Sequence, residues 1–239
     1  VVETKALSGV KAPDLEEEYR PHRFVMDAYR RGDLSLEGQL DPIWAAIQQN
    51  DKHHGAMLIA DDVGMGKSRT AAGFVLDRIG NGRKRILVVT ADNRNITNLM
   101  QNEFPIVSGG KVPAEMVLLS GENLPKVKKG EEPLPTFTDR PAIYFVNADQ
   151  FGAFSRAIEA AQMDAVVIDE VHKFKSVDTK RGSAWAKLHE DWTRRDASML
   201  YLSATPGADI ADLQYLYGLK IWAMDGFSDW VGVLTGQLS

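Results

Sequence analysis

A short apolar run that leads into a glycine-rich loop and then a lysine is the feature that most restricts how this chain can fold. Residues 56–60 are mostly apolar, Gly64 and Gly66 follow, and Lys67 and Ser68 open a segment with helical spacing. Glycine lets backbone N–H groups turn toward a phosphate without a Cβ in the way. The N-terminus of the next helix adds positive partial charge at the same point. The pattern predicts a phosphate-binding loop between a buried strand and a helix.

One position of this loop departs from the strict G-x-x-x-x-G-K-[ST] pattern, which requires glycine where this chain has Asp61. A glycine-rich turn that merely precedes a helix is therefore the structural alternative. The strand–loop–helix context favours a phosphate loop, in which Lys67 reaches the β- and γ-phosphates and the Ser68 hydroxyl binds magnesium. The residues expected to contact the nucleotide are Gly64, Met65, Gly66, Lys67, Ser68 and Arg69.

Strand and helix patterns alternate along the chain. Strands are expected at residues 56–60, 86–90, 116–119, 142–146, 165–168 and 199–202. Helices are expected at residues 36–49, 69–79, 151–161 and 182–189, with another ending near residues 104–105. Residues 12–33 and 121–141 are polar and predict, respectively, a loop with a short helix and a mobile loop. The alternation predicts an α/β fold with a mostly parallel central sheet and helices on both faces.

Two carboxylates, Asp169 and Glu170, directly follow the apolar run at residues 165–168. Ligands bind at the carboxyl edge of parallel sheets, so these side chains are expected at the same edge as the phosphate loop. Asp169 is expected to hold magnesium together with Ser68, and Glu170 to orient and activate a water molecule. A solvated acidic turn is the alternative, and the upstream Lys67 weakens it. The predicted catalytic residues are Lys67, Asp169 and Glu170.

Two hydroxyl residues, Ser203 and Thr205, follow the last predicted strand. They can hydrogen-bond to the acidic motif and report the state of the γ-phosphate, or they can form a Ser/Thr turn that Pro206 ends. His172 is expected either to couple the nucleotide site to the rest of the protein or to cap its own turn.

Composition excludes several classes of protein. The formal net charge of −5 over 239 residues argues against a basic nucleic-acid-binding surface on the whole chain, so any such contact is local. The absence of cysteine excludes disulfides and thiolate metal sites. No apolar run reaches the roughly 20 residues of a membrane span. A cytoplasmic location is expected, with no membrane partner.

Taken together, the motifs resemble those of superfamily 2 helicases. Residues 61–68, 169–172 and 203–205 are similar to motifs I, II and III, in that order. Residues 59–67 are especially similar to motif I of Swi/Snf-type DNA translocases, which also carry aspartate at the position of Asp61. Because these translocases have the same residue there, Asp61 is compatible with a phosphate loop.

A narrower similarity is to strawberry-notch helicases. It is carried by residues 66–73, 83–85, 203–205 and 218–222. Val171 and Ser68 depart from that group, which has cysteine and glycine there. Such helicases occur in bacterial and phage proteins as well as in animals, and a bacterial or phage origin is expected.

The resemblance implies a RecA-like P-loop lobe at residues 34–225, after an N-terminal extension at residues 1–33. Residues 226–239 would lead towards a second RecA-like lobe. That lobe is expected outside these 239 residues, because they leave no room for it. ATP and Mg²⁺ are the implied cofactors, and Gln39 looks like the glutamine that reads the adenine edge. The isolated lobe is expected to bind nucleotide weakly and to hydrolyse it slowly or not at all.

Nucleic acid is the implied partner, DNA rather than RNA, bound through its backbone. Residues 88–91 resemble motif Ia, which touches that backbone in the family. The candidate contacts are Thr90, Arg94, Lys173 and Lys175. Charged residues of this kind are also typical of an ordinary solvated face.

Two other functions compete with a motor lobe. A different P-loop enzyme, such as a small-molecule kinase, would need a lid and an acceptor site and has no use for residues 203–205. A non-catalytic scaffold would have no chemical use for Lys67, Asp169 and Glu170 together.

Overall fold

Six strands form one parallel sheet in the computed structural model, which describes residues 19–60, 64–120, 139–174, 180–205, 216 and 219. The strands are β1 (Met57–Ile59), β2 (Arg85–Thr90), β3 (Glu115–Leu118), β4 (Ala142–Asn147), β5 (Ala165–Asp169) and β6 (Ser198–Leu202). Their order in the sheet is β1-β6-β5-β2-β4-β3, and every neighbouring pair is parallel. The predicted α/β fold with a parallel sheet is confirmed.

Helices lie on both faces of this sheet. They are α1 (Arg23–Arg30), α2 (Asp41–His53), α3 (Lys67–Gly80), α4 (Asn93–Asn98), α5 (Phe104–Ser108), α6 (Ser155–Ala161) and α7 (Lys180–Arg194). Two π-helical turns, Leu36–Leu40 and Leu99–Glu103, lead into α2 and α5. Two 3₁₀ turns, Phe151–Ala153 and Val171–Phe174, precede α6 and follow β5.

The helix after β2 was expected to end near Pro105, and that prediction is wrong. The π-helical turn Leu99–Glu103 runs directly into α5, so helical structure continues past Pro105. Helix α5 ends at Ser108, and its C-cap Gly109 has a left-handed φ of 70° that favours glycine.

Helix α1 packs onto the body of the lobe. Val25 and Ala28 are fully buried and contribute to the same hydrophobic core as α3 and α5. The backbone N–H of His22 donates to Asp77 Oδ1 at 2.6 Å, which ties the start of α1 to α3. A domain boundary near residue 33 stays a prediction, but the helix before it shares the core of the lobe.

Alternate residues of the strands point to two separate cores. In β2, Ile86 and Val88 face the core that α1, α2 and α3 cover, while Leu87 and Val89 face the opposite core. The first core is mainly aliphatic. The second holds a group of buried aromatic side chains: Phe151, Phe174, Trp185, Trp192 and Tyr201. Trp185 and Trp192 are therefore core residues.

Candidate nucleotide-binding site

A cavity of about 670 Å³ opens at the carboxyl edge of the sheet, where β5 ends and α3 begins. Its volume falls in the range of small-molecule binding sites. The residues that line it are Ser35, Gly38, Gln39, Gly64, Met65, Gly66, Lys67, Ser68, Arg69, Asn95, Glu103, Asp169 and Glu170. All the residues predicted to contact nucleotide, metal or the attacking water therefore meet in one place, although their roles stay predictions.

The loop before α3 depends on two glycines with left-handed backbone conformations. Gly64 has φ 89° and Gly66 has φ 86°, values at which a Cβ is strained. A Cβ on Gly66 would also lie 2.5 Å from Gln39 Nε2. Glycine at this position therefore lets the loop and the Gln39 side chain approach each other closely. Asp61, the departure from the strict pattern, lies outside the described residues.

Asp169 forms the acidic end of the cavity with Glu170. Burial, together with the negative charge of Glu170, raises the pKa of Asp169 to about 6. The backbone N–H of Glu170, the charge of Lys67 and a hydrogen bond from Asn95 act in the opposite direction. Asp169 therefore lies within electrostatic reach of Lys67, as a shared phosphate and metal site requires.

Glu170 is one of the few non-glycine residues with a left-handed backbone, at φ 54°. This conformation directs the chain out of β5 into the turn Val171–Phe174. A non-glycine residue in this region is uncommon and often marks a functional site.

His172 connects the acidic turn to the segment after β6. Its Nδ1 lies 3.1 Å from Glu170 Oε2 and 3.0 Å from Ser203 Oγ. The backbone N–H of Thr205 donates to the same Ser203 Oγ at 3.2 Å. A hydrogen on Nδ1 suits this geometry, because a carboxylate can only accept. The contacts join the two motifs physically, and a coupling role for His172, Ser203 and Thr205 stays a prediction.

Gln39 lines the cavity beside the phosphate loop. Its Oε1 accepts from the Ser35 backbone N–H at 2.9 Å and from the Ser35 hydroxyl at 2.8 Å. Its Nε2 donates to Met65 O at 3.3 Å. The side chain is thus oriented by its own helix turn and contacts the phosphate loop, which is a suitable place for a base-reading residue.

Four lining residues were missed by the sequence analysis: Ser35 and Gly38 lie next to Gln39 in the sequence, and the remaining two are Asn95 and Glu103. Both belong to the helical stretch after β2, and neither is part of a recognised motif. Asp92 caps α4 by accepting from the N–H groups of Arg94 and Asn95. This N-cap was a readable signal, because it places the start of α4, and hence Asn95, at the carboxyl edge of the sheet.

The candidate nucleic-acid residues have different surroundings. Thr90 is fully buried and its hydroxyl donates to Asp92 O at 2.7 Å, and its contact with nucleic acid stays a prediction. Lys173 Nζ donates to Ala91 O at 3.1 Å, and Arg94 is exposed. Lys175 lies outside the described residues.

The fold and the cavity define the first RecA-like lobe of a superfamily 2 helicase. Residues 36–208 match the family model described as type III restriction enzyme, res subunit, and the chain belongs to this family. Mouse protein strawberry notch homolog 2 is 27% identical over 93% of this chain and 16% of its own length. The strawberry notch protein of Drosophila melanogaster is 24% identical over 97% of this chain and 15% of its own length. The chain therefore spans only a small part of these relatives.

Solved structures agree on the fold. The SWI2/SNF2 ATPase core of Sulfolobus solfataricus in complex with dsDNA matches with a TM-score of 0.59 at 15% identity. That match covers 84% of this chain and 40% of the other. The UvsW helicase from bacteriophage T4 matches with a TM-score of 0.54 at 15% identity, covering 77% of this chain and 57% of the other. These matches confirm the RecA-like architecture.

The cytoplasmic location and the absence of a membrane partner stay predictions. Within the described residues, none of the helices has the length and apolar character to cross a membrane. The bacterial or phage origin stays a prediction, and the relatives cited above are animal proteins.

Proposed function

We propose that this chain binds ATP with Mg²⁺ and supplies most of the hydrolytic residues of a nucleic-acid-dependent helicase or DNA translocase. The observation that supports this most directly is that Lys67, Ser68, Asp169 and Glu170 line one cavity at the carboxyl edge of the sheet. A phosphate-binding lysine and two carboxylates on unrelated segments have no common structural purpose there. Phosphoryl transfer needs all of them in one place.

The donor set fits magnesium. The Ser68 hydroxyl and the Asp169 carboxylate are hard oxygen ligands of the kind that Mg²⁺ prefers alongside phosphate oxygens and water. Burial and, after it, the neighbouring charge of Glu170 raise the pKa of Asp169, so a bound cation would relieve repulsion between the two carboxylates. When bound, the metal would neutralise charge on the phosphate oxygens.

Each residue then has a separate task. The N–H groups of the loop and the Lys67 ammonium hold the phosphates, and Glu170 orients the attacking water and accepts its proton. His172 fixes the Glu170 carboxylate from one side through its contact at 3.1 Å. Charge that develops on the transferred group would be stabilised by arginines of a second lobe, which the much longer relatives have room to contain.

Nucleic acid is the proposed activating partner. The similar SWI2/SNF2 ATPase core was solved in complex with dsDNA, which favours DNA over RNA. Arg94 is exposed next to Asn95, so a backbone contact there would lie one residue from the cavity.

Calorimetric titration of this chain with ATP and Mg²⁺ tests the proposal. Lys67→Ala is expected to weaken binding by roughly tenfold or more, because it removes a charge-assisted contact to phosphate. Lys187→Ala is the matched control, since Lys187 is an exposed lysine paired with Glu159 at 2.8 Å outside the cavity. Equal affinity of both variants, or no binding by the parent chain, would overturn the proposal.

A further inference from the structure

We infer that Arg69, held in place by Glu103, forms the flat surface against which the nucleobase of the bound nucleotide lies. This inference rests on the proposed function and adds a base-side contact to it. Asp169 and Glu170, at the end of β5, line the same cavity as Ser35 and Gln39, which belong to the segment before α2.

Arg69 is locked at two points. Its Nε donates to Glu103 Oε2 at 2.8 Å, and one of its terminal nitrogens donates to Asp33 O at 3.2 Å. The Arg69 side chain is 33% exposed and that of Glu103 15%, so the pair lies in the wall of the cavity and is not fully solvated. Two anchors on different nitrogens fix the plane of the guanidinium as well as its position.

Arg69 contacts the segment that carries Gln39, the candidate base-reading residue. On helix α3, residues two positions apart point in directions about 200° apart, so Arg69 leaves the helix on the side away from Lys67. Its anchor at Asp33 belongs to the segment that also holds Ser35 and Gln39. Arg69 therefore lies beside the segment of the base-reading candidate and on the side of α3 that faces away from Lys67.

The anchored guanidinium offers its face to a ligand. Planar cations of this kind stack on aromatic rings, and every nucleobase has an aromatic face. A face contact adds affinity without distinguishing adenine from guanine, because it does not read base edges. Glu103 is a positioning residue in this arrangement, since it acts by holding Arg69.

Titrations of this chain with ATP, GTP and tripolyphosphate, each with Mg²⁺, test the inference. Tripolyphosphate has no base or ribose, so it isolates the phosphate contacts. Arg69→Ala should weaken ATP and GTP by the same factor, roughly tenfold, and leave tripolyphosphate within roughly twofold. Lys67→Ala should weaken all three ligands. Arg30→Ala, an exposed arginine that pairs with Asp27 at 3.0 Å, should change none.

Glu103→Ala should reproduce part of the loss for ATP, and the double variant should bind no worse than Arg69→Ala alone, because Glu103 works through Arg69. Arg69→Lys keeps the charge but not the planar face. It should lose nearly as much ATP affinity as Arg69→Ala, and it replaces that variant if thermal melting shows the alanine protein unfolded.

Three results would overturn the inference. An equal loss for tripolyphosphate would make Arg69 a phosphate ligand, and the proposed function would stand. Unchanged ATP binding by folded Arg69→Ala would show that no ligand lies against the guanidinium, again without touching the proposed function. A parent chain that binds tripolyphosphate as tightly as ATP would show that no base contact exists.

Discussion

The two faces of the sheet are packed differently, although both support one cavity. The first face is covered by α1, α2 and α3 and is mainly aliphatic. The second face, under α6 and α7, is aromatic, and Phe174 stacks on Trp185 with ring centroids 4.8 Å apart. Helix α3 on the first face carries Lys67 and Ser68. Phe174 on the second ends the turn that begins directly after Glu170.

This difference suggests a division of work. The first face holds the groups expected to bind nucleotide, and the second holds the turn expected to hydrolyse it. Changes on the first face should then appear mainly in nucleotide affinity, and changes on the second in hydrolysis or stability. Variants on each face can break or sharpen this division.

The largest effect is expected from Glu170→Gln in the full-length protein. The amide keeps the size of the side chain but cannot accept a proton, so ATP hydrolysis should fall by roughly 10²–10⁴-fold. The ATP dissociation constant should stay within roughly threefold, because Glu170 is not proposed to hold the phosphates. Steady-state hydrolysis and equilibrium binding, measured side by side, check this. In a scaffold protein the substitution would have no effect on hydrolysis. A loss confined to ATP binding would reverse the division between the faces.

Trp185→Ala should be the most destabilising change on the second face. Trp185 is fully buried and contacts Phe151, Phe174 and Trp192 within the aromatic core. The cavity left behind should lower the free energy of unfolding by about 3–5 kcal/mol, measured by urea denaturation. Trp44→Ala on the first face is the control, because Trp44 is only partly buried and should cost about 1 kcal/mol. Similar losses in the free energy of unfolding for both variants would show that the aromatic core contributes no more to stability than the aliphatic core.

A buried histidine on the second face, His189, makes the stability of the fold depend on pH. Burial lowers the pKa of His189 to about 3, so this residue is neutral in the folded chain. In the unfolded chain, His189 binds a proton below about pH 6.5. The contribution of neutral His189 to the free energy of unfolding is therefore fully present above that pH and decreases as pH falls towards about 3.

The contribution of His189 should therefore fall by about 1.4 kcal/mol per pH unit below roughly pH 6.5. Denaturation of the parent chain and of His189→Gln between pH 7 and pH 5 measures the difference. The loss in the parent should exceed that in the variant. Equal slopes would mean that His189 is not buried neutral beside Tyr201, its hydrogen-bond partner.

The smallest effects are expected from alanine at Gly66 and Gly82. Both have left-handed backbones, with φ 86° and 92°, so each substitution should cost roughly 1–2 kcal/mol of stability. Only the Cβ at Gly66 meets another group, since Gln39 Nε2 would lie 2.5 Å away, and nothing lies within 4 Å at Gly82. Gly66→Ala should therefore displace Gln39 and weaken ATP binding, while Gly82→Ala should not. Equal ATP affinity for both variants would remove Gln39 from the binding site.

Most of the sheet and the edge where the site lies could be predicted from the sequence. Buried parallel strands are continuous apolar runs, and β2, β4, β5 and β6 are all recognisable in that way. The phosphate loop and the acid pair each follow such a run, so the carboxyl-edge rule brings them together before any coordinates exist.

The remaining features depend on tertiary packing. The polar segment before residue 33 contains an amphipathic helix whose buried residues, Val25 and Ala28, only find a partner once α3 and α5 are in place. Glu103 reaches the cavity from a π-helical turn, and its contact with Arg69 spans 34 positions of sequence. The burial of Thr90 also depends on neighbouring elements, because the sequence of a strand end does not show whether another segment packs over it.

The left-handed backbone at Glu170 has a consequence for how this position can vary over time. Glycine, asparagine and aspartate enter that conformation most readily, yet none of them offers a carboxylate at the reach of glutamate. The residues that the backbone would accept most easily are thus ones that the chemistry would reject. A saturation library at position 170, sorted once for folding and once for activity, should return two nearly separate sets of amino acids.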